Sequence, residues 1–232
     1  MCVDKSVVVV GPGAFLRDLN YGEDINNFDL VVRTNDGFLM PPEFWDDYGS
    51  RCDILYLNNA WIRRNILKNK SKEHRRNVIR NIVHTSKVRL IVVKKEPAKK
   101  ILDNIFSKIT PKYKEQLNIV VTAGLWRQDR DIWAKAFTDN NRYYEPTLVP
   151  YIISDLSIVE KSVKQIFITG CDFYNNTQHW ASFYNKAVDQ RKETITRQKA
   201  HNTEADKEYL KKRLMNNDKI QVDTTMRKLL NQ

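Results

Sequence analysis

The four valines of SVVVVGPG, residues 7–10, constrain this 232-residue chain more than any other feature. A continuous β-branched run has no polar face, so it reads as a strand covered on both sides. It ends in Gly11, with Gly13 one residue later. The strand therefore turns tightly at its C-terminal end. Similar short apolar runs recur at residues 30–33, 54–57, 90–93, 119–121, 166–169 and 220–222. Between them, segments 78–83, 101–109, 126–137 and 148–163 carry apolar residues three and four apart, the spacing of a helix. Thr203 with Asp206 reads as the N-terminal cap of a further helix reaching Met215. Strand–helix alternation predicts an α/β fold: a doubly wound, mostly parallel sheet with helices on both faces, forming one domain over residues 1–232. Right-handed crossovers then set the strand C-termini along one edge, where such sheets bind ligands.

The glycine turn alone does not specify a nucleotide. A dinucleotide fingerprint needs a third glycine, and Leu16 stands there. No G-x-x-x-x-G-K-[ST] loop is present. The second strand adds more, because it ends in Arg33, Thr34 and Asn35 at the same edge. An asparagine there can both donate to and accept from a base or ribose.

Charge is concentrated rather than general. The net charge is +11. Segment 63–100 holds 14 Lys or Arg against Glu73 and Glu96, a net +12, and leaves the rest of the chain at −1. Clustered cations release counterions from a polyanion, so this segment is a candidate docking surface. Arg64, Lys68, Lys72, Arg75, Arg76 and Arg80 are its candidate contacts, with Trp61 beside them as a base-stacking candidate. No apolar run approaches the ~18 residues of a membrane helix. Three cysteines are too few for a disulfide framework. The expectation is a cytoplasmic protein (host cytoplasm, if viral) with no membrane partner.

"VVVVGPGAFLRDLNYGEDINNFDLVVRTN" followed by "DYGSRCD" resembles the large motif of the eukaryotic-type sialyltransferase family. Gly11, Leu16, Gly22, Asp29, Arg33, Asn35, Asp47, Gly49, Ser50 and Arg51 fit that pattern in order. Pro146-Thr147 through "QIFITGCDFY" resembles its small motif in outline. "QHWASFY", and His201 with Asp206, resemble its two C-terminal motifs. The resemblance implies a variant Rossmann-like glycosyltransferase fold and inverting transfer from a nucleotide sugar, without metal or cofactor. It implies His201 as the base, His179 as a donor-phosphate contact and Asp206 as a support for His201. For the donor itself it points to Gly11, Gly13, Ala14, Arg33, Asn35, Ser50, Thr147, Thr169 and Gly170. Pro12 has no N–H, so the loop's phosphate contacts are expected from the Gly13 and Ala14 amides. Tyr143 and Tyr144 are further candidates for the leaving phosphate. The basic segment directs the acceptor expectation to a modified base of viral-type DNA, hydroxymethylated or already glycosylated. The alternatives are a glycan acceptor and a catalytically dead nucleic-acid-binding protein.

Overall fold

The computed structural model describes residues 4–67, 71–122, 138–139, 142–143, 146–158, 163–173 and 202–231. Its centre is a seven-stranded sheet built from β1 (Lys5–Val10), β2 (Leu30–Thr34), β3 (Ile54–Leu57), β4 (Leu90–Val93), β5 (Asn118–Val121), β8 (Val163–Thr169) and β9 (Ile220–Val222). The order is β5-β4-β3-β2-β1-β8-β9, and every neighbouring pair is parallel. A two-residue antiparallel pair, β6 (Thr138–Asp139) with β7 (Arg142–Tyr143), stands apart from it.

The valine run is the middle of this sheet. All four valines are at most 2 % exposed. Val8 and Val10 pack with Leu16, Ile25, Val31 and Tyr48 on one face. Val7 and Val9 pack with Val32, Ile152 and Ile166 on the other. Burying one such side chain stabilises the fold by roughly 1.5–3 kcal/mol, so losing either helical layer exposes a full row. The first face carries α1 (Gly22–Asn27) and α2 (Trp45–Tyr48) over β1 and β2. It also carries α3 (Asn59–Ile62), α4 (Lys72–Arg80) and α5 (Glu96–Ile109) over β3 to β5. The second face carries α6 (Leu148–Ile158), α7 (Thr203–Met215) and α8 (Thr224–Leu230).

Several boundaries differ from the sequence expectation for identifiable reasons. The helix expected over 148–163 is described over Leu148–Ile158, and Val163, 1 % exposed, already belongs to β8. Helix α4 starts earlier than position 78, since the Ser71 hydroxyl accepts the His74 N–H at 3.0 Å and caps it. Asn202, not Thr203, caps α7, its Oδ1 accepting the Ala205 N–H at 3.1 Å. The helix expected over 126–137 lies outside the described residues.

Candidate functional site

Strand order reverses between β1 and β8, which puts the topological switch point directly beyond the valine run. Two loops leave the sheet there and touch backbone to backbone. Gly11 N–H donates to Thr169 O at 2.8 Å, and Gly13 N–H donates to Gly170 O at 2.6 Å. A Cβ on Gly11 would collide with Gly170 O and Cys171 Sγ. Gly170 has φ +71°, a left-handed conformation that glycine adopts without strain. The glycines after β1 therefore serve first to let two loops close on each other.

This closure changes the expected donor contacts. Gly11, Gly13, Ala14, Thr169 and Gly170 do come together. However, the Gly13 amide, expected at the phosphate, is already satisfied by Gly170. Thr169 is fully buried, and its hydroxyl donates to Asp223 Oδ2 at 2.8 Å. Asp223 also accepts the Gly170 N–H at 3.2 Å and caps α8 through Met226 N–H at 2.7 Å. Thr169 thus braces the loop from behind rather than facing a ligand.

Arg33 is likewise diverted. It shares a sheet face with Val31, so its side chain enters the layer beneath α1 and α2 and is 1 % exposed. Its Nη2 donates to Tyr48 O at 2.6 Å and Gly49 O at 2.9 Å, and its Nε donates to Arg51 O at 2.6 Å. Burial lowers its pKa to about 10, which still leaves it charged at neutral pH. Ser50 lies at the opposite edge of the sheet. It precedes β3, and its N–H donates to Asn26 Oδ1 at 3.0 Å, with Asn26 itself ahead of β2. Asn35 does stand at the expected edge, with φ +48°. Its Oδ1 accepts the Asn58 N–H at 3.1 Å, which fixes the side chain beside the crevice.

A second polar cluster occupies the same edge, further along. Lys94 directly follows β4 and is only 5 % exposed, so it leaves the surface block to which its charge seemed to assign it. Its Nζ donates to Pro146 O at 3.2 Å and sits 4.1 Å from the centre of the Tyr151 ring. The Thr147 N–H donates to Asp206 Oδ2 at 3.2 Å. One peptide unit, Pro146–Thr147, is therefore held at its oxygen by a cation and at its N–H by a carboxyl. Asp206 is fully buried, and its Oδ1 has no hydrogen-bond partner among the described residues. Burial raises its pKa to about 7, against the opposing pull of Thr147 and Lys94. A carboxyl poised near neutrality can hold or release a proton at working pH.

His179, His201, Lys68 and Tyr144, with the side chain of Tyr143, lie outside the described residues. Within the basic segment Lys72, Arg76 and Arg80 are exposed on α4. Arg64 is exposed and lies 3.9 Å from Asp36. Arg75 is half-buried and turned onto Leu67 O at 3.5 Å. Trp61 is core, 1 % exposed, with its indole N–H on Asp36 at 2.5 Å. Sequence reasoning missed Tyr48, Lys94 and Asp223. The one signal for Lys94 was its place directly after a buried strand at the ligand-binding edge.

A parallel sheet whose glycine-closed crevice sits at its switch point defines the Rossmann-like class of nucleotide-binding folds. The model of glycosyltransferase family 29 (sialyltransferase) matches residues 4–219, and the chain belongs to that family. It is accordingly a nucleotide-sugar-dependent glycosyltransferase of sialyltransferase-like type. Among solved structures it is similar to a mammalian sialyltransferase in complex with Gal-β-1-3GalNAc-ortho-nitrophenol, at TM-score 0.56 and 14 % identity over 95 % of this chain and 69 % of that one. A second mammalian sialyltransferase structure gives TM-score 0.55 and 15 % identity with the same coverage. At these identities the likeness is one of fold. No curated protein sequence matches the chain. Among the described residues no helix is long and apolar enough to cross a membrane.

Proposed function

We propose that the chain is an inverting, metal-independent glycosyltransferase that moves a sugar from a nucleotide donor to a hydroxyl of a glycan. The reading is carried by the glycine-closed crevice at the β1/β8 switch point, in a chain spanned almost end to end by the family model. In the reaction the acceptor oxygen bonds to the anomeric carbon as the bond to the donor phosphate breaks. The electron pair leaves with the nucleotide, and the acceptor proton passes to a base. His201 is proposed as that base, His179 as a contact of the leaving phosphate, and Asp206 as the near-neutral carboxyl supporting His201. A cytoplasmic, reducing location is proposed with it; the buried, unpaired Cys52 and Cys171 fit such a compartment.

The family relationship moves the first reading of the acceptor from DNA to a glycan. A polyanionic acceptor such as DNA stays as a second reading, favoured by the exposed cations Lys72, Arg76 and Arg80 along α4. One screen separates the two. Sugar nucleotides of cytidine, uridine and guanosine are offered with Gal-β-1-3GalNAc aryl glycosides, other oligosaccharides, or hydroxymethylated duplex DNA, and products are read by mass. Sugar transfer to an oligosaccharide that is abolished by His201→Ala, with donor affinity retained, supports the proposal. Transfer to DNA alone replaces it with the second reading. No transfer to any acceptor rejects both.

A further inference from the structure

A cavity of about 500 Å³ opens between the helices that leave β3 and β4. Those strands are paired neighbours, Leu57 beside Val93, so the cavity lies at the ligand-binding edge of the sheet. Strands pack about 4.8 Å apart, which sets it three spacings, roughly 14 Å, along that edge from the β1/β8 crevice. One wall is α3 and the π-helical turn Arg63–Leu67 that continues it. Such widened turns occur mostly at functional sites. The other wall is the start of α5.

The lining has two parts. The buried Ile62 and Ala98, with Leu67, Pro97 and Ile101 beside them, make it apolar. Arg63 and Lys95 add two exposed cations. Lys95 stands at the N-cap of α5, where an ammonium cannot accept the helix N–H groups and faces the positive end of the dipole. The helix therefore gives no reason for a cation there; an external anion does. Glu96, exposed in the first turn of α5, is not part of the lining. Helix α4 touches both walls and carries exposed Lys72, Arg76 and Arg80, and the segment 63–100 nets +12.

We infer that this face docks on a membrane of acidic lipids, with Arg63, Lys95 and the α4 cations at the head groups and the cavity taking the apolar chain of one lipid. Nucleic acid satisfies cations but brings no chain to fill an apolar cavity; an acidic lipid brings both. The absence of a membrane partner was expected because no apolar run spans a bilayer, and a peripheral contact needs none. The cytoplasmic leaflet proposed above is the anionic one. Docking there would hold the crevice, on the same edge, near the bilayer surface.

The test uses the full chain and needs no sugar transfer. In flotation, phosphatidylcholine vesicles containing phosphatidylserine should capture it, and phosphatidylcholine alone should not. Arg63→Gln with Lys95→Gln should weaken capture about thirtyfold, two cations at about fivefold each. Arg227→Gln with Lys228→Gln removes the same charge from exposed positions on α8, beneath the second face, and should have far less effect. Calorimetry with octyl phosphate, octyl glucoside and glycerol phosphate separates chain from head. Octyl phosphate should bind at least about tenfold tighter than the other two, the scale of two buried methylenes. Ala98→Phe, or Ile101→Phe if the first does not fold, fills the cavity with charge unchanged and should abolish that preference. Thermal midpoints check folding. Octyl phosphate no tighter than glycerol phosphate, or equal losses from the two charge pairs, overturns the inference. So does duplex DNA bound through Arg63 and Lys95 but indifferent to octyl phosphate, which returns the face to the second reading.

Discussion

Two peptide units at the ligand-binding edge are held in contrasting ways. Gly13–Ala14 has its oxygen on the Tyr48 phenol. Pro146–Thr147 has its oxygen on the Lys94 ammonium and its N–H on the Asp206 carboxyl. The first is gripped at its oxygen by a neutral group. The second is gripped at both ends by ionisable groups and is closed as a binding element. The grips also differ in what disturbs them. A phenol whose pKa is driven far upward does not change with pH, whereas a carboxyl with a pKa of about 7 does.

The largest predicted effect is on the neutral grip. Arg33→Met leaves Tyr48 O, Gly49 O and Arg51 O without their donor in a buried layer. It should cost about 3–5 kcal/mol in urea unfolding, the scale of breaking a buried charged network. Arg33→Lys should not rescue it, because one ammonium lacks the planar fork that reaches three carbonyls. If Arg33→Met costs less than about 1 kcal/mol, Tyr48 is held by something else. Gly11→Ala comes next. The added methyl meets Gly170 O and Cys171 Sγ, so the two loops must part, at about 1–3 kcal/mol. Its nucleotide affinity should fall together with its stability. An unperturbed Gly11→Ala would show that the loops are not packed as tightly as their hydrogen bonds require.

The sheet was legible in the sequence for a plain reason. Continuous β-branched runs ending in glycine or polar residues have few other uses, and the runs at 54–57, 90–93 and 220–222 match their strands residue for residue. The crevice was half legible. The glycines pointed to it, but the Gly13 amide expected at the phosphate is taken by Gly170, about 160 residues away in the chain. Arg33 was read as facing a ligand because a motif gives position along a strand but not what a long side chain does beneath the sheet. Its parity with Val31 already assigned it to the covered face. Ser50 was assigned to the donor by its motif alone, yet a residue before a parallel strand lies at that strand's start, not at its ligand-binding end. Lys94 was counted with the surface cations, since sequence charge carries no information about burial. Thr203 and Asn202 are adjacent residues both able to cap, and only the backbone geometry chooses between them.

The charged grip gives the gentlest test per measurement, through pH. The Asp206 carboxyl has a raised folded pKa, about 7, against an unfolded value near 3.9. Between these values the unfolded chain has lost the proton while the folded one keeps it, so the folded state binds more protons and stability falls as pH rises. The slope should reach at most about 1.4 kcal/mol per pH unit between pH 4 and 7, and this contribution should level off above 7. Asp206→Asn carries no titrating proton and should flatten that part of the profile. Lys94→Met should shift the levelling-off point upward, because it removes the cation that holds Asp206 down. Neither change should alter the pH dependence of the Tyr48 contact. A wild-type profile that stays flat from pH 4 to 7 would mean that Asp206 is ionised throughout that range, and a slope that survives Asp206→Asn would belong to another group; either outcome removes the pH contrast between the two grips.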